Sequence, residues 1–210
     1  MRLPLPRIYP LTDVNISGLS HVEQVIRLSE GGATLIQLRE KNSAASDFFI
    51  EAQKAVIAAR ERGVRVVIND RVDVALALRA DGVHLGQDDF PAEAARDLLG
   101  PEAFIGFSTH SVEQASQAAR FRIDYLAFGP IFATTSKTNS EPVVGLEKLR
   151  EVRRKVGNLP IVGIGGITHD NARSVIEAGA DSVAVISVLL AKPNQISAQT
   201  QRLISLLEQY

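Results

Sequence analysis

Eight short β-branched segments alternate with Ala-rich amphipathic segments along the chain, and this alternation restricts the fold more than any other feature. The predicted strands are 8–13, 33–40, 65–70, 82–86, 104–109, 125–130, 160–166 and 182–187. The predicted helices are 20–30, 46–61, 72–79, 91–99, 111–120, 145–156, 170–178 and 195–208. Strict alternation predicts an α/β fold with a parallel sheet, because parallel strands need a crossover between them, usually a helix.

The number of units predicts a single-domain (β/α)8 TIM barrel spanning residues 1–210. Several strands are apolar on both faces, as expected for strands with helices outside and a core inside. Glycines follow four of the helical patterns, where a left-handed residue commonly ends a helix; they are Gly31-Gly32, Gly63, Gly100 and Gly179. A doubly wound open sheet is the alternative, but the first strand is followed by TDVNISG rather than G-x-G-x-x-G.

Composition excludes several classes of function. The chain contains no Cys, so disulfides, thiolate nucleophiles and Cys-ligated metals are ruled out. Lys and Arg number 23 against 24 Asp and Glu, so there is no basic excess to bind nucleic acid or an anionic membrane. No segment approaches the length of a membrane span and the first residues do not resemble a signal peptide, so we expect a cytoplasmic protein.

The second predicted strand ends in a cluster of polar residues. Strand side chains alternate, so Gln37, Arg39 and Lys41 point to one side. In a TIM barrel the carboxyl ends of the strands form the active site, so these side chains predict an anion site there. The alternative is a pair of solvated cations that bind Glu40 or Asp13.

Carboxylates follow the next two strands. Asp70 comes directly after the third strand, and Asp89 follows the fourth. Two carboxylates completed by water and substrate phosphates are a common Mg²⁺ site, so the pair predicts a divalent metal. Helix capping by Asp70, and by Asp88 or Asp89, is the alternative for each residue alone.

Ser108 lies near the end of the fifth strand and adds to this first anion site. Later strands predict a second anion site. Between the two sites, a long polar loop at 131–144 follows the sixth strand; it contains Thr134, Thr135, Ser136 and Lys137 and is expected to be a flexible active-site loop. Gly166 follows the seventh strand, and Ile186 and Ser187 end the eighth. The loops after strands 7 and 8 of this barrel commonly hold a phosphate group.

The histidines do not suggest nucleophilic catalysis, since none has a Ser or Cys partner at a recognisable spacing. His84 lies within an apolar strand and is expected to be a hydrogen-bonded core residue. His21 lies near a helix start and is expected to be exposed. The two anion sites instead predict two phosphorylated substrates that meet at the barrel mouth, one of them a metal-bound diphosphate.

The chain resembles the thiamine phosphate synthase family from one end to the other. The resemblance rests on the segments YPLTD, QLREK, VVINDRVDVAL, ADGVHLGQDD, IGFSTHS, YLAFGPIFATTSK, GLEKL, GIGGI and AGADSVAVIS, in the family's order. It implies a transferase that joins 4-amino-2-methyl-5-(diphosphooxymethyl)pyrimidine to 4-methyl-5-(2-phosphoethyl)thiazole or its 2-carboxy form. The products are thiamine phosphate and diphosphate, with CO2 from the carboxylated thiazole.

The resemblance also implies a role for each candidate residue. The pyrimidine diphosphate is held by Gln37, Leu38, Arg39, Glu40, Lys41 and Asn69. One Mg²⁺ ion per subunit is held by Asp70 and Asp89, and the leaving diphosphate is stabilised by Arg39, Lys41, Ser108 and Lys137. The thiazole phosphate is held by Thr134, Thr135, Ser136, Gly166, Ile186 and Ser187. A homodimer is implied by resemblance only.

Two other functions remain open on sequence grounds. A thiazole tautomerase shares the barrel and the thiazole site, but it typically uses a His near the sixth-strand loop, where this chain has Gly129-Pro130. A non-catalytic barrel that binds thiazole phosphate or thiamine phosphate predicts loss of a metal or leaving-group residue, and none is lost.

Overall fold

The computed structural model describes residues 5–134 and 142–208, and its centre is a sheet of eight parallel strands. The strands are β1 Ile8–Pro10, β2 Leu35–Leu38, β3 Arg65–Asn69, β4 Gly82–Leu85, β5 Phe104–Thr109, β6 Tyr125–Phe128, β7 Ile161–Ile164 and β8 Ser182–Val185. Each strand pairs with its neighbour in the chain, and β8 pairs with β1. A bridge between Leu11 and Gln37 joins the β1 and β2 sides. The predicted TIM barrel is therefore confirmed.

Helices surround the barrel, and two short ones lie at one of its ends. They are α1 Val14–Ser17, α2 His21–Glu30, α3 Ala45–Arg60, α4 Val72–Leu78, α5 Ala92–Leu99, α6 Val112–Ala118, α7 Gly145–Val156, α8 Ala172–Glu177, α9 Ser187–Leu190 and α10 Ile196–Leu207. Most strand side chains are buried on both faces, as the apolar runs predict. Gly32, Gly63, Gly100 and Gly179 have positive φ at the ends of helices, so the predicted stops are confirmed there.

Two four-residue helices were not predicted, because so short a segment carries no helical periodicity. The first, α1, follows β1, where Asp13 accepts hydrogen bonds from the N–H groups of Asn15 and Ile16. The second, α9, follows β8 directly. Both lie where the strands end, so they shape the same end of the barrel.

A buried ion pair lies at the opposite end of the barrel. The Arg96 guanidinium contacts the Asp124 carboxylate at 2.5 Å, and both side chains are less than 10% exposed. Arg96 also donates to the carbonyls of Gly100 and Ala103. This end therefore has a structural role, as expected for the face of the barrel opposite the active site. In the described ranges, no helix has the length and apolarity needed to cross a membrane.

Candidate active site

A cavity of about 720 Å³ opens at the carboxyl ends of the strands. Each of the eight strands, or the turn that follows it, contributes to its wall. The strand and turn residues include Tyr9, Gln37, Asn69, His84, Ser108, Ala127, Ile164 and Ala184. The charged lining residues are Asp13, Arg39, Glu40, Lys41, Asp70 and Asp89. The predicted location of the site, at the barrel mouth, agrees with this cavity.

The two predicted cations both line the cavity, and each has an acidic partner. Arg39 Nη1 lies 2.6 Å from Asp13 Oδ2, and both side chains are largely buried. Lys41 Nζ forms an ion pair with Asp70 Oδ2 and is half-exposed. The alternative interpretation, in which these cations bind acidic neighbours, is therefore correct for the pair of Arg39 with Asp13. Both ion pairs nevertheless face the cavity rather than open solvent. The partners hold the two cations in place at the cavity wall.

The two predicted carboxylates meet at the cavity edge. Asp70 has a φ of 61°, which is rare for a residue other than Gly and turns its side chain out of the strand direction. Asp89 accepts a hydrogen bond from the Gly86 N–H at 2.7 Å. Burial raises the pKa of the Asp89 carboxyl, and the adjacent Asp70 carboxylate raises it further. Two close carboxylates whose ionised forms repel each other are suited to a divalent cation.

The capping alternative is wrong for Asp70 and Asp89. The cap position of α4 is occupied by Arg71 and that of α5 by Pro91, and neither makes a side-chain capping bond. Ser111, in contrast, caps α6 by accepting from the Gln114 N–H, as its position predicts. The carboxylates are thus left for a role in the cavity.

Two buried amide side chains each have one polar atom without a partner. Gln37 donates through Nε2 to the Tyr9 hydroxyl at 3.1 Å, while its Oε1 has no hydrogen-bond partner among residues 5–134 and 142–208. The same holds for Asn69 Nδ2 within these ranges. Buried polar groups are nearly always hydrogen-bonded, so this acceptor and this donor are suited to a polar ligand in the cavity.

The predicted segment 37–41 is not uniform in its contacts. Leu38 is fully buried and points to the opposite side of the strand from Gln37. The Glu40 Oε1 atom accepts from the N–H groups of residues 41, 42 and 43, at 2.8, 2.7 and 3.2 Å. Glu40 therefore shapes the turn that presents Lys41.

The expectation that His21 is exposed is wrong. Only 2% of its surface is exposed, because its ring packs edge-on against Phe48. Its Nδ1 lies 2.8 Å from the Thr12 hydroxyl, and its Nε2 lies 3.5 Å from Glu40. Burial lowers the pKa of His21, although Glu40 opposes this effect.

The second predicted anion site is only partly described. Gly166 has a φ of 63°, and a Cβ added there would lie 2.4 Å from the Ala133 carbonyl oxygen, so glycine lets the segment leading to Thr134 pack against the β7 turn. Ile186 is buried at the start of α9, and Ser187 lines the cavity. The predicted residues Thr135, Ser136 and Lys137 lie outside the described residues.

Several lining residues were missed by the sequence analysis or given another role. Tyr9 lies in the cavity wall. Tyr125 lies beneath the wall, and its hydroxyl is hydrogen-bonded to both Tyr9 and His84. His84 is the predicted hydrogen-bonded core histidine, but it also reaches Ser108 at 2.9 Å. His110 lines the cavity and donates from Nδ1 to the Gly129 carbonyl at 2.7 Å. The signal available was the two-residue alternation, which places polar residues of neighbouring strands on the inner face.

Comparison with known proteins agrees with the family resemblance seen in the sequence. The pattern of the family described as thiamine monophosphate synthase matches residues 8–189. The thiamine-phosphate synthase of Koribacter versatilis is 47% identical over 204 residues, covering 94% of this chain and 95% of that protein. That of a Roseiflexus species is 46% identical over 192 residues, covering 91% and 81%. The thiamine phosphate pyrophosphorylase structure from Pyrococcus furiosus superposes with a TM-score of 0.86 at 37% identity, covering 97% and 96%.

Proposed function

The chain belongs to the thiamine monophosphate synthase family and is a transferase of thiamine biosynthesis, and we propose how its cavity performs that reaction. The substrates are the aminopyrimidine that carries a diphosphooxymethyl group and the thiazole that carries a phosphoethyl group. The carbon–oxygen bond to the diphosphate breaks, and its electron pair leaves with the diphosphate. The thiazole ring nitrogen then donates its lone pair to the same carbon, forming thiamine phosphate.

One observation carries the proposal: two cations and two neighbouring carboxylates line the same cavity. Arg39 and Lys41 stand on the β2 side, and Asp70 and Asp89 stand at the ends of β3 and β4. A diphosphate needs both cationic side chains and a divalent metal to balance its charge as it leaves. A monophosphate or an uncharged ligand would not need this set.

The residues present are suited to Mg²⁺. Asp70 and Asp89 would hold one ion per subunit, and no group of three or more His, Asp or Glu able to hold a metal exists within the described ranges. Mg²⁺ commonly uses one or two protein carboxylates and takes its other ligands from water and phosphate. When bound, it supplies charge that stabilises the leaving diphosphate.

The protein side chains then do three things. Arg39, Lys41 and Ser108 stabilise negative charge on the diphosphate, and Lys137 is proposed to join them by resemblance; preorganised groups of this kind usually make the largest contribution to catalysis. Gln37 Oε1 and Asn69 Nδ2, which have no partner in the part of the chain that the structure describes, offer an acceptor and a donor to the pyrimidine ring. No base is needed to activate the nucleophile, because a ring nitrogen already has its lone pair.

The thiazole phosphate is proposed to bind at the ends of β7 and β8. Ser187 lines the cavity there, and Gly166 allows close approach of backbone. Thr134, Thr135 and Ser136 are proposed to add hydroxyl groups from the loop. This arrangement would hold the thiazole nitrogen opposite the departing diphosphate, which favours reaction by proximity.

The test is to mix purified protein with both substrates, with and without Mg²⁺, and to measure thiamine phosphate. Mg²⁺-dependent product is the expected result. Tight binding of the thiazole phosphate without product would instead favour a tautomerase or a non-catalytic binding barrel. Light scattering on the same sample tests the homodimer that the resemblance implies.

A further inference from the structure

A continuous series of hydrogen bonds, called the relay below, crosses the inside of the barrel, and all but the last of its bonds are buried. Gln37 Nε2 lies 3.1 Å from the Tyr9 hydroxyl, which lies 3.0 Å from the Tyr125 hydroxyl. The Tyr125 hydroxyl lies 3.0 Å from His84 Nδ1, and His84 Nε2 lies 2.9 Å from Ser108 Oγ. The relay thus connects five strands and joins Gln37 to Ser108 through Tyr9, Tyr125 and His84. Tyr9 and His84 also line the cavity, and Tyr125 lies beneath it.

The side chains of the relay are tightly packed and have little conformational freedom. Tyr9 and Tyr125 are at most 1% exposed, and their rings meet edge-on with centroids 5.8 Å apart. His84 stacks on Tyr125 at 5.6 Å. Gly106 makes room for this stack, because a Cβ there would lie 2.1 Å from Tyr125 Cζ and 2.5 Å from His84 Nδ1. A glycine at this point of β5 is therefore required by the hydrogen bond between these two rings.

One arrangement of protons orients every hydrogen bond of the relay in the same sense. Gln37 Nε2 donates to the Tyr9 hydroxyl, and either tyrosine can donate to the other; in this arrangement the Tyr9 hydroxyl donates to Tyr125. The Tyr125 hydroxyl in turn donates to His84 Nδ1, which leaves the imidazole proton on Nε2 to be donated to Ser108. Burial raises the pKa of both tyrosines well above the ordinary value, so each keeps the proton that it donates. Ser108 Oγ is then an acceptor toward His84, and its own hydroxyl proton is free to be donated into the cavity.

We propose that Tyr125 and His84 are positioning residues that orient the Ser108 hydroxyl as a donor to the diphosphate leaving group. The inference rests on the proposed function, in which Ser108 contacts that group. A diphosphate oxygen only accepts hydrogen bonds. If every bond of the relay were donated in the opposite sense, Ser108 would use its proton toward His84 and present a lone pair to the anion. With donation in this sense, Gln37 Oε1 is available to accept a hydrogen bond from the pyrimidine. Gln37 and Ser108, at the two ends of the relay, therefore both offer the group that the same substrate needs.

A double-mutant cycle tests whether these residues act through Ser108. Ser108→Ala is expected to lower kcat by about 10²-fold, as for loss of one donor to developing charge. Tyr125→Phe is expected to lower kcat by about 10-fold, the scale of one misdirected hydrogen bond, with little change in KM for the thiazole phosphate. In the Ser108→Ala background, Tyr125→Phe should have no further effect on kcat. An equal effect in both backgrounds would overturn the proposal.

Two conservative variants of His84 give a second readout. The Gln side chain can place its amide nitrogen near the position of Nε2, so His84→Gln should keep kcat within about 3-fold. The Asn side chain reaches only the position of Nδ1, so His84→Asn should lose about 10-fold. Thr200→Val is the control, because it removes a buried hydroxyl in α10, far from the cavity, and should leave kcat unchanged. Equal losses in the Gln and Asn variants would contradict the proposal.

The imidazole tautomer can be measured without turnover. Nitrogen NMR of the full chain labelled at histidine should show His84 protonated at Nε2 and unprotonated at Nδ1, with the signal assigned by its loss in His84→Gln. The Nε2 resonance should shift when Mg²⁺ and inorganic diphosphate are added. A proton on Nδ1 would overturn the proposal. If the protein made no thiamine phosphate but showed the expected tautomer and shift, the proposed function would fail while the relay stood.

Discussion

Replacing Asp89 by Asn tests the proposed metal site with little disturbance of the fold. The Asn side chain has almost the same shape, and its carbonyl oxygen can still accept the Gly86 N–H that Asp89 accepts at 2.7 Å. Its amide nitrogen can donate to Asp70, where two carboxylates now repel each other. The variant therefore removes one charge from the carboxylate pair while the turn after β4 keeps its hydrogen bond.

The expected size of the effect follows from binding linkage. At about 100 times its dissociation constant, a ligand stabilises the folded state by about 2.7 kcal/mol. For a chain of this size, each kcal/mol shifts the Tm by about 2–4 °C, so Mg²⁺ with inorganic diphosphate should raise the Tm by about 5–11 °C. Asp89→Asn should abolish most of this shift and should lower turnover at least about 10²-fold.

The same variant has a predicted effect on pH dependence in the absence of ligands. The pKa of Asp89 is raised in the folded protein, so the folded state binds more protons than the unfolded state above about pH 3.9. The contribution of Asp89 to stability is thus present at low pH and is lost as pH rises through the raised pKa. In Asp89→Asn the free energy of unfolding should no longer fall as pH rises through this range. Urea unfolding of both proteins at several pH values would measure the difference.

Asp88→Asn is the matched control, since Asp88 is an exposed neighbour in the same turn and carries the same charge. It should keep the Tm shift with Mg²⁺ and diphosphate, as well as the turnover. A full shift in Asp89→Asn, or near-normal turnover of that variant, would refute the metal site. Equal losses in both variants would show that the charge of the turn matters, rather than the carboxylate pair.

Three further predictions concern other parts of the chain. Lys137→Ala should lower turnover at least about 10²-fold in steady-state assays, because the proposed leaving-group site would lose one cation. Gly106→Ala should lower the free energy of unfolding by about 1–3 kcal/mol in urea titrations, since its Cβ overlaps two rings that cannot move away. Arg96→Ala should cost about 3–5 kcal/mol in urea titrations, because the cation beside the buried Asp124 carboxylate is lost, while kcat below the melting temperature stays unchanged.

Sequence patterns predicted the barrel because each strand–helix unit is a local signal repeated eight times. They also predicted the cations and carboxylates of the cavity, since alternation and strand order place Arg39, Lys41, Asp70 and Asp89 at one end. The pairing of Arg39 with Asp13 is visible as an option in the sequence, but choosing it requires the closure of the barrel between β1 and β2.

The remaining features depend on contacts between distant segments. His21 is buried because α3 brings Phe48 over its ring, and a helix-start position gives no sign of that contact. The chain from Tyr9 to Ser108 combines side chains from separate strands, each of which looks unremarkable in its own segment. Its least visible member is Gly106, whose missing side chain makes the central hydrogen bond sterically feasible.

The charge of the cavity connects the metal site with the leaving group. Four carboxylates line it, from Asp13, Glu40, Asp70 and Asp89, against only two described cations, from Arg39 and Lys41. A diphosphate that approached this wall without a metal would meet more negative than positive charge, even with each cation held in place. A divalent ion at the proposed site of Asp70 and Asp89 would offset that excess, so metal and diphosphate should stabilise each other's binding. The ion pairs with Asp13 and Asp70 then keep Arg39 and Lys41 oriented toward the diphosphate oxygens.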